Sequence, residues 1–155
     1  MKREIKFRGK AKLDGKWWFG NLVPKDTCGR TQINDPEHGG CFDIDPETVS
    51  QYVGVKDKNG QEIYEGDILR GDYYPYHDDG EDNYLGVVFF ADDDYTWEVM
   101  KFVTAKSERS GISNFINDEF YETDFSQMEV IGNIWDTKGL FRDSDEEIME
   151  WFNGD

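Results

Sequence analysis

Glu62, Glu65 and Asp67 fall within the stretch DKNGQEIYEGDIL (57–69), close enough for their carboxylates to share a cation or to divide acid and base work. Such chemistry needs them to converge in a pocket with a nucleophile or second base at hand, and no neighbouring residue supplies one. Turn chemistry accounts for the same residues: Gly66 permits a reversal, Asp67 caps it, and Glu62 pairs with Lys56 across a hairpin. A second acidic group, His77, Asp78, Asp79, Glu81 and Asp82, offers oxygen ligands for calcium but lacks the EF-hand spacing and its closing glutamate. Soft ligands are confined to Cys28, His38, Cys41 and His77, and only His38 with Cys41 approaches the spacing that closes a structural zinc pair. No Gly-rich phosphate loop, Ser-His-Asp order or oriented Cys-His pair is visible. The expectation is therefore a protein without catalytic residues, metal or cofactor.

The sharper candidate lies nearer the start. Lys6, Arg8, Lys10 and Lys12 alternate with Ile5, Phe7, Gly9, Ala11 and Leu13, and Asp14-Gly15 then separates them from Trp17, Trp18 and Phe19. A period of two closed by Asp-Gly predicts a hairpin with a two-residue loop. In that register Phe7 meets Leu22 and Ala11 meets Trp18 on a buried face, while Lys10 meets Phe19 and Lys12 meets Trp17 on the other. The outer face becomes a ribbon of cations and rings: Lys6, Arg8, Lys10, Lys12, Trp17 and Phe19. Single-stranded nucleic acid is bound by such a mixture, phosphates on the cations and bases on the rings. The same face also suits cations lying over rings, worth about 0.5 to 1 kcal/mol each when exposed, or pairing with acidic surface on the same or a neighbouring chain.

Charge weighs between these uses. The 155 residues carry a formal net charge of −17, yet residues 1–16 hold seven basic groups against Glu4 and Asp14, a local +5 that leaves −22 for the remainder. That field repels nucleic acid and anionic membrane and attracts basic partners, so association with another acidic copy, basic strand to acidic surface, ranks above nucleic-acid binding. A different reading of the same charge is an acidic decoy that imitates nucleic acid and occupies a basic DNA-binding protein. Aromatic residues at 15% argue against a disordered chain. The longest apolar run, LGVVFFA, falls far short of the roughly 18 residues of a membrane span. Two cysteines and a start, MKREIKFRGK, without an apolar h-region point to a reducing cytoplasm, which also disfavours a disulfide.

The elements that must position these residues are mostly strands. Residues 24–47 are turn-rich and read as a small irregular hairpin with strands near 30–33 and 41–44. At the Asp57–Gly60 turn, a two-residue Asn59-Gly60 loop would set Asp57 against Glu62. A type I turn with left-handed Gly60 pairs Lys56 with Glu62 and Val55 with Ile63, avoids the like-charge pair, and is preferred, with Asp57 bonding its own turn backbone. DILRG opens a strand, the 72–84 loop has no periodicity, and LGVVFF and YTWEVMKFV are strands across an ADDD turn. Residues 104–124 are ambiguous, with one helical turn near NDEFYE, and MEVIGNIW is a strand. In the tail, Ser144 with Glu147 forms a capping box, and Ile148, Met149, Trp151 and Phe152 form an apolar face on a helix too short to persist undocked. The expected fold is mainly β: an antiparallel N-terminal hairpin region (1–60), an SH3-like small β-barrel (61–137) suggested by the strand rhythm of 66–135, and a short C-terminal α-helix (138–155).

DKNGQEIYEGDIL at 57–69, EVIGNIWDT at 129–137 and IKFRGK at 5–10 together resemble the YopX family, small proteins of bacterial phages and prophages. The resemblance spans most of the chain. It departs where Lys138-Gly139-Leu140-Phe141 and an acidic helix replace a run ending in Pro-Glu-Leu-Leu, and the 24–47 and 72–84 segments look like inserts of this chain. It implies a fold similar to SH3-type barrels, a tendency to homo-oligomers and a bacterial cytoplasm, with no established reaction. The family motif itself is then a structural turn built by Asp57, Asn59, Gly60, Glu62, Glu65, Gly66 and Asp67.

Overall fold

The computed structural model describes residues 4–71, 84–102, 124–140 and 145–153. The chain divides into two compact units, residues 1–54 and 55–155. The first contains β1 (Phe7–Lys10), β2 (Trp17–Val23), β3 (Gln32–Asp35), β4 (Gly40–Asp43) and most of β5 (Ser50–Lys56), with a short 3-10 turn at Pro46–Thr48. Its strands lie in the order β4-β3-β2-β1-β5. The β3–β4 hairpin falls inside the turn-rich 24–47 stretch, close to the expected positions.

The first hairpin differs from expectation by two residues. Phe7 faces Gly20, Arg8 faces Phe19, Gly9 faces Trp18 and Lys10 faces Trp17. A two-residue primed turn needs positive φ at its first central position, and type I′ at both; Asp14 does not adopt it, and only Gly15 does, at φ 69°. The loop instead spans residues 12–15, closed by Ala11 N–H to Lys16 O at 2.8 Å, while Asp14 Oδ1 accepts the Lys16 N–H. Leu13, expected on the buried face, therefore sits at the loop tip and is 97% exposed. A shift of two preserves which side chains share a face.

Beyond β4 the chain curls back to β1. Ile44 bridges antiparallel to Ala11, Lys12 donates to Asp43 O, and Asp45 donates to Lys10 O at 2.9 Å. Ile44 is buried directly over Gly9, where any Cβ would overlap its Cγ2. The glycine in the basic alternation is thus required by a close approach.

The second unit holds the end of β5, then β6 (Glu62–Tyr64), β7 (Asp67–Gly71), β8 (Tyr84–Ala91), β9 (Thr96–Phe102), a 3-10 turn at Phe125–Gln127, β10 (Glu129–Asn133) and α1 (Asp145–Phe152). Four strands form an antiparallel sheet in the order β10-β7-β8-β9. No closed barrel is found among the described residues, where β10 and β9 are the two edges of an open four-stranded sheet. Alternation along β7 and β8 sends Ile68, Leu85 and Val87 to one face, where Ile134 and Ile148 complete a buried cluster. The C-terminal helix therefore docks on its own chain. The 72–84 loop with its acidic group up to Asn83, the ambiguous 104–123 stretch and the Ser144 cap lie outside the described residues.

Candidate interaction surface

The β1–β2 pairing places Arg8, Lys10, Trp17 and Phe19 on one face, because Arg8–Phe19 and Lys10–Trp17 are directly opposed. The expected ribbon is nevertheless incomplete. Arg8 is only 7% exposed: β1 is flanked by β5 as well as β2, with Phe7 facing Gln51 and Arg8 facing Ser50. Arg8 Nε donates to Ser50 Oγ at 3.0 Å, and its guanidinium lies 4.8 Å from the centre of the Trp17 ring. A cation held in this way contributes to packing more than to a solvent-facing field. Lys6 and Lys10 are half-buried, Lys12 is exposed as the first residue of the loop, and Phe19 is 38% exposed. On the opposite face Trp18 stacks on Phe42 with centroids 3.5 Å apart and meets His38 edge-on.

The family-motif residues come together as a clasp. Asp57 N–H donates to Gln61 O at 2.8 Å and Gly60, at φ 84°, donates to Asp57 O, the closing pair of the preferred register. The Asp57 side chain does more than its turn requires. Oδ1 accepts from the N–H groups of Asn59 and Gln61, both at 2.8 Å, and Oδ2 accepts from Val130 N–H at 3.0 Å. Val130 stands where a bulge interrupts the β10–β7 ladder, so its amide is turned toward a side-chain acceptor. Glu129 closes the same junction, accepting from Arg70 and from Asn59 and lying 3.8 Å from Lys58. The Arg70 bond, opposed by desolvation and aided by Lys58 and Asn59, holds the Glu129 carboxyl below its ordinary range.

The second half of the motif is equally internal. Asp67, fully buried, accepts the Tyr64 N–H at 2.8 Å, and Tyr64 Oη donates to Glu62 at 2.7 Å. Gly66 donates to Val88 O and accepts from Ile134 N–H, joining the Glu65–Gly66–Asp67 reversal to β8 and to the end of β10. Its φ of 77° and the Trp135 ring over its Cα both demand glycine. Asn133 then turns the chain by accepting from Trp135 and Asp136 N–H, each at 3.0 Å. Glu62, Glu65 and Asp67 are engaged in this framework.

Among the described residues no group of three or more His, Cys, Asp or Glu side chains is placed to hold a metal. Cys28 and Cys41 are exposed free thiols, and His38 Nδ1 bonds Asp35 at 2.9 Å. Burial pushes the Asp35 carboxyl up, but the His38 imidazole and the Glu37 and His38 amides outweigh it, leaving the group below its ordinary value. Reasoning from sequence missed Ser50 and Glu129. Neither carries a local signal, since their partners Arg8 and Arg70 lie 42 and 59 residues away.

A family model described as YopX protein matches residues 6–142, which include both halves of the clasp. The chain belongs to the YopX family. No curated protein matches it. In this YopX-family chain the two motif blocks, 57–69 and 129–137, meet through Asp57–Val130 and Gly66–Ile134, so a signature split across the sequence is one junction in space. Helix α1 lies beyond the matched residues.

Proposed function

We propose that this YopX-family chain is a non-catalytic, phage-type association module of the bacterial cytoplasm, assembling with copies of itself through the basic face of β1 and β2. The observation that carries this reading is the juxtaposition of Lys10 with Trp17 and Phe19 on one strand face, with Lys12 exposed in the adjoining loop, on a chain whose net charge is −17. Half-buried rings supply apolar contact while the lysines select an acidic counter-surface, which the rest of the chain provides in excess. The contact is heterologous, basic patch to acidic patch, and such contacts close into rings when the rotation allows. Withdrawal of Arg8 lowers the cation count of the face and so weakens the nucleic-acid reading more than the protein one. The test is a charge reversal, Lys10→Glu with Lys12→Glu, followed by light scattering at low salt. Loss of assembly supports the reading. An unchanged particle mass, or retardation of single-stranded DNA by the wild-type chain alone, counts against it.

A further inference from the structure

We propose that the open end of the β8–β9 hairpin, with Phe90, Trp97 and the loop Asp92–Tyr95, is the counter-surface that receives the β1–β2 face of a second copy of this chain. The inference rests on the association reading above and names the surface which that reading leaves open. On one side of the hairpin Val88 faces Val99 and Phe90 faces Trp97. Val88 is fully buried, but two residues nearer the loop Phe90 is exposed and meets the half-buried Trp97 edge-on at 5.0 Å. The Trp97 indole N–H is buried with no acceptor among the described residues, so packing alone holds this ring. The sheet face thus runs out of the core into an aromatic pair that water still reaches.

Charge completes the surface. Ala91 and Thr96 form the last strand pair, and residues 92–95 make the loop. Asp92, Asp93 and Asp94 are consecutive and exposed, and among the described residues none is engaged in a hydrogen bond or ion pair. Asp35, Asp57, Asp67 and Glu129, by contrast, are committed to partners within the chain. Tyr95 follows at φ 55°, an exposed ring on a left-handed backbone that glycine would hold without strain.

The occupant follows from charge and build. The β1–β2 hairpin has the same plan with the opposite sign: a four-residue loop, 12–15, ending in left-handed Gly15, with Lys12 exposed in it and Lys10, Trp17 and Phe19 behind it. Setting Phe90 and Trp97 against Trp17 and Phe19, and the three carboxylates against lysines, gives an aromatic centre with a charged rim. Two chains of −17 repel one another overall, so close approach is favoured where the basic segment 1–16 meets concentrated negative charge. The two patches differ, which makes the contact heterologous.

Particle mass from light scattering at low salt tests the pairing. Asp92→Lys with Asp93→Lys and Asp94→Lys should reduce the assembly to 18.1 kDa, as should Lys10→Glu with Lys12→Glu. An equimolar mixture of these two variants should regain at least twice that mass, because each reversed patch then meets an opposite one. Glu37→Lys with Glu47→Lys and Glu150→Lys changes the net charge equally from scattered exposed positions and should leave the wild-type mass. Tyr95→Gly, which relieves strain and so does not act by unfolding, should weaken association about tenfold. Assembly that survives the three lysines, a mixture that stays at 18.1 kDa, a scattered control that dissociates, or unchanged association in Tyr95→Gly overturns this proposal. If Lys10→Glu with Lys12→Glu still dissociates the particle, the β1–β2 reading stands without it. A wild-type mass of 18.1 kDa at low salt overturns both.

Discussion

Asp57→Ala tests the clasp at its centre. The carboxylate is 5% exposed and accepts three backbone N–H groups, two in its own turn and one from Val130 on β10. A hydrogen bond to a charged group contributes about 1.5 to 3 kcal/mol. The Asn59 and Gln61 amides belong to exposed residues and can turn to water, so they retain about 0.5 to 1 kcal/mol each, whereas the Val130 amide is half-buried and carries the full value. The total is about 2.5 to 5 kcal/mol, which at a urea slope near 2 kcal/mol/M lowers the midpoint by about 1.2 to 2.5 M. Asp57→Asn separates the contributions: one amide oxygen can still serve the turn, but an NH2 group then faces the Val130 N–H. Its cost should be about half that of alanine. Hydrogen exchange at Val130 should accelerate in both variants. An alanine variant within 0.5 kcal/mol of wild type, or an asparagine variant equal to alanine, would refute the reasoning.

Gly66→Ala meets both a left-handed backbone and the Trp135 ring, and should cost about 3 kcal/mol, read as a Tm lower by about 6 to 12 °C in thermal unfolding. Tyr95 adopts φ 55° in the β8–β9 loop while 83% exposed, so Tyr95→Gly relieves about 1 to 2 kcal/mol of strain against about 0.5 to 1 of added chain entropy; urea titration should show a gain of about 0.5 to 1 kcal/mol. Asp35 and Glu129 have folded pKa values below the ordinary carboxylate values of about 4, so the stability they supply is present above that range and is lost as pH falls through the folded values. Urea midpoints should therefore drop below about pH 4, and the drop should be shallower in Asp35→Asn and Glu129→Gln.

The residues that were legible in the sequence are those whose partners are near. Asp57, Asn59 and Gly60 build their turn within five positions, and like-charge avoidance between Asp57 and Glu62 was enough to choose its register. Asp14-Gly15 shows the limit of the same reasoning. The dipeptide suits a two-residue loop, but a four-residue loop ending in left-handed Gly15 uses the same residues, and the choice rests with the 11–16 closure. Arg8 lay on the outer face by alternation, which is correct for a two-stranded ribbon; β5, arriving more than forty residues later, covers it. Strand rhythm is blind to whether the two edges of a sheet meet, and among the described residues it yields an open antiparallel sheet and no closed barrel. The amphipathic tail announced that it must dock, while its seat was assembled from Ile68, Leu85, Val87 and Ile134 on three separate segments.

The central claim, association through opposed charge, is tested most directly by particle mass from light scattering of the wild-type chain at low and at high salt. Screening weakens exposed charge contacts once the Debye length falls from about 10 Å at 0.1 M to about 3 Å at 1 M. The account predicts a multiple of 18.1 kDa at low salt that falls toward the single-chain mass as salt rises. A mass of 18.1 kDa at both concentrations would contradict it.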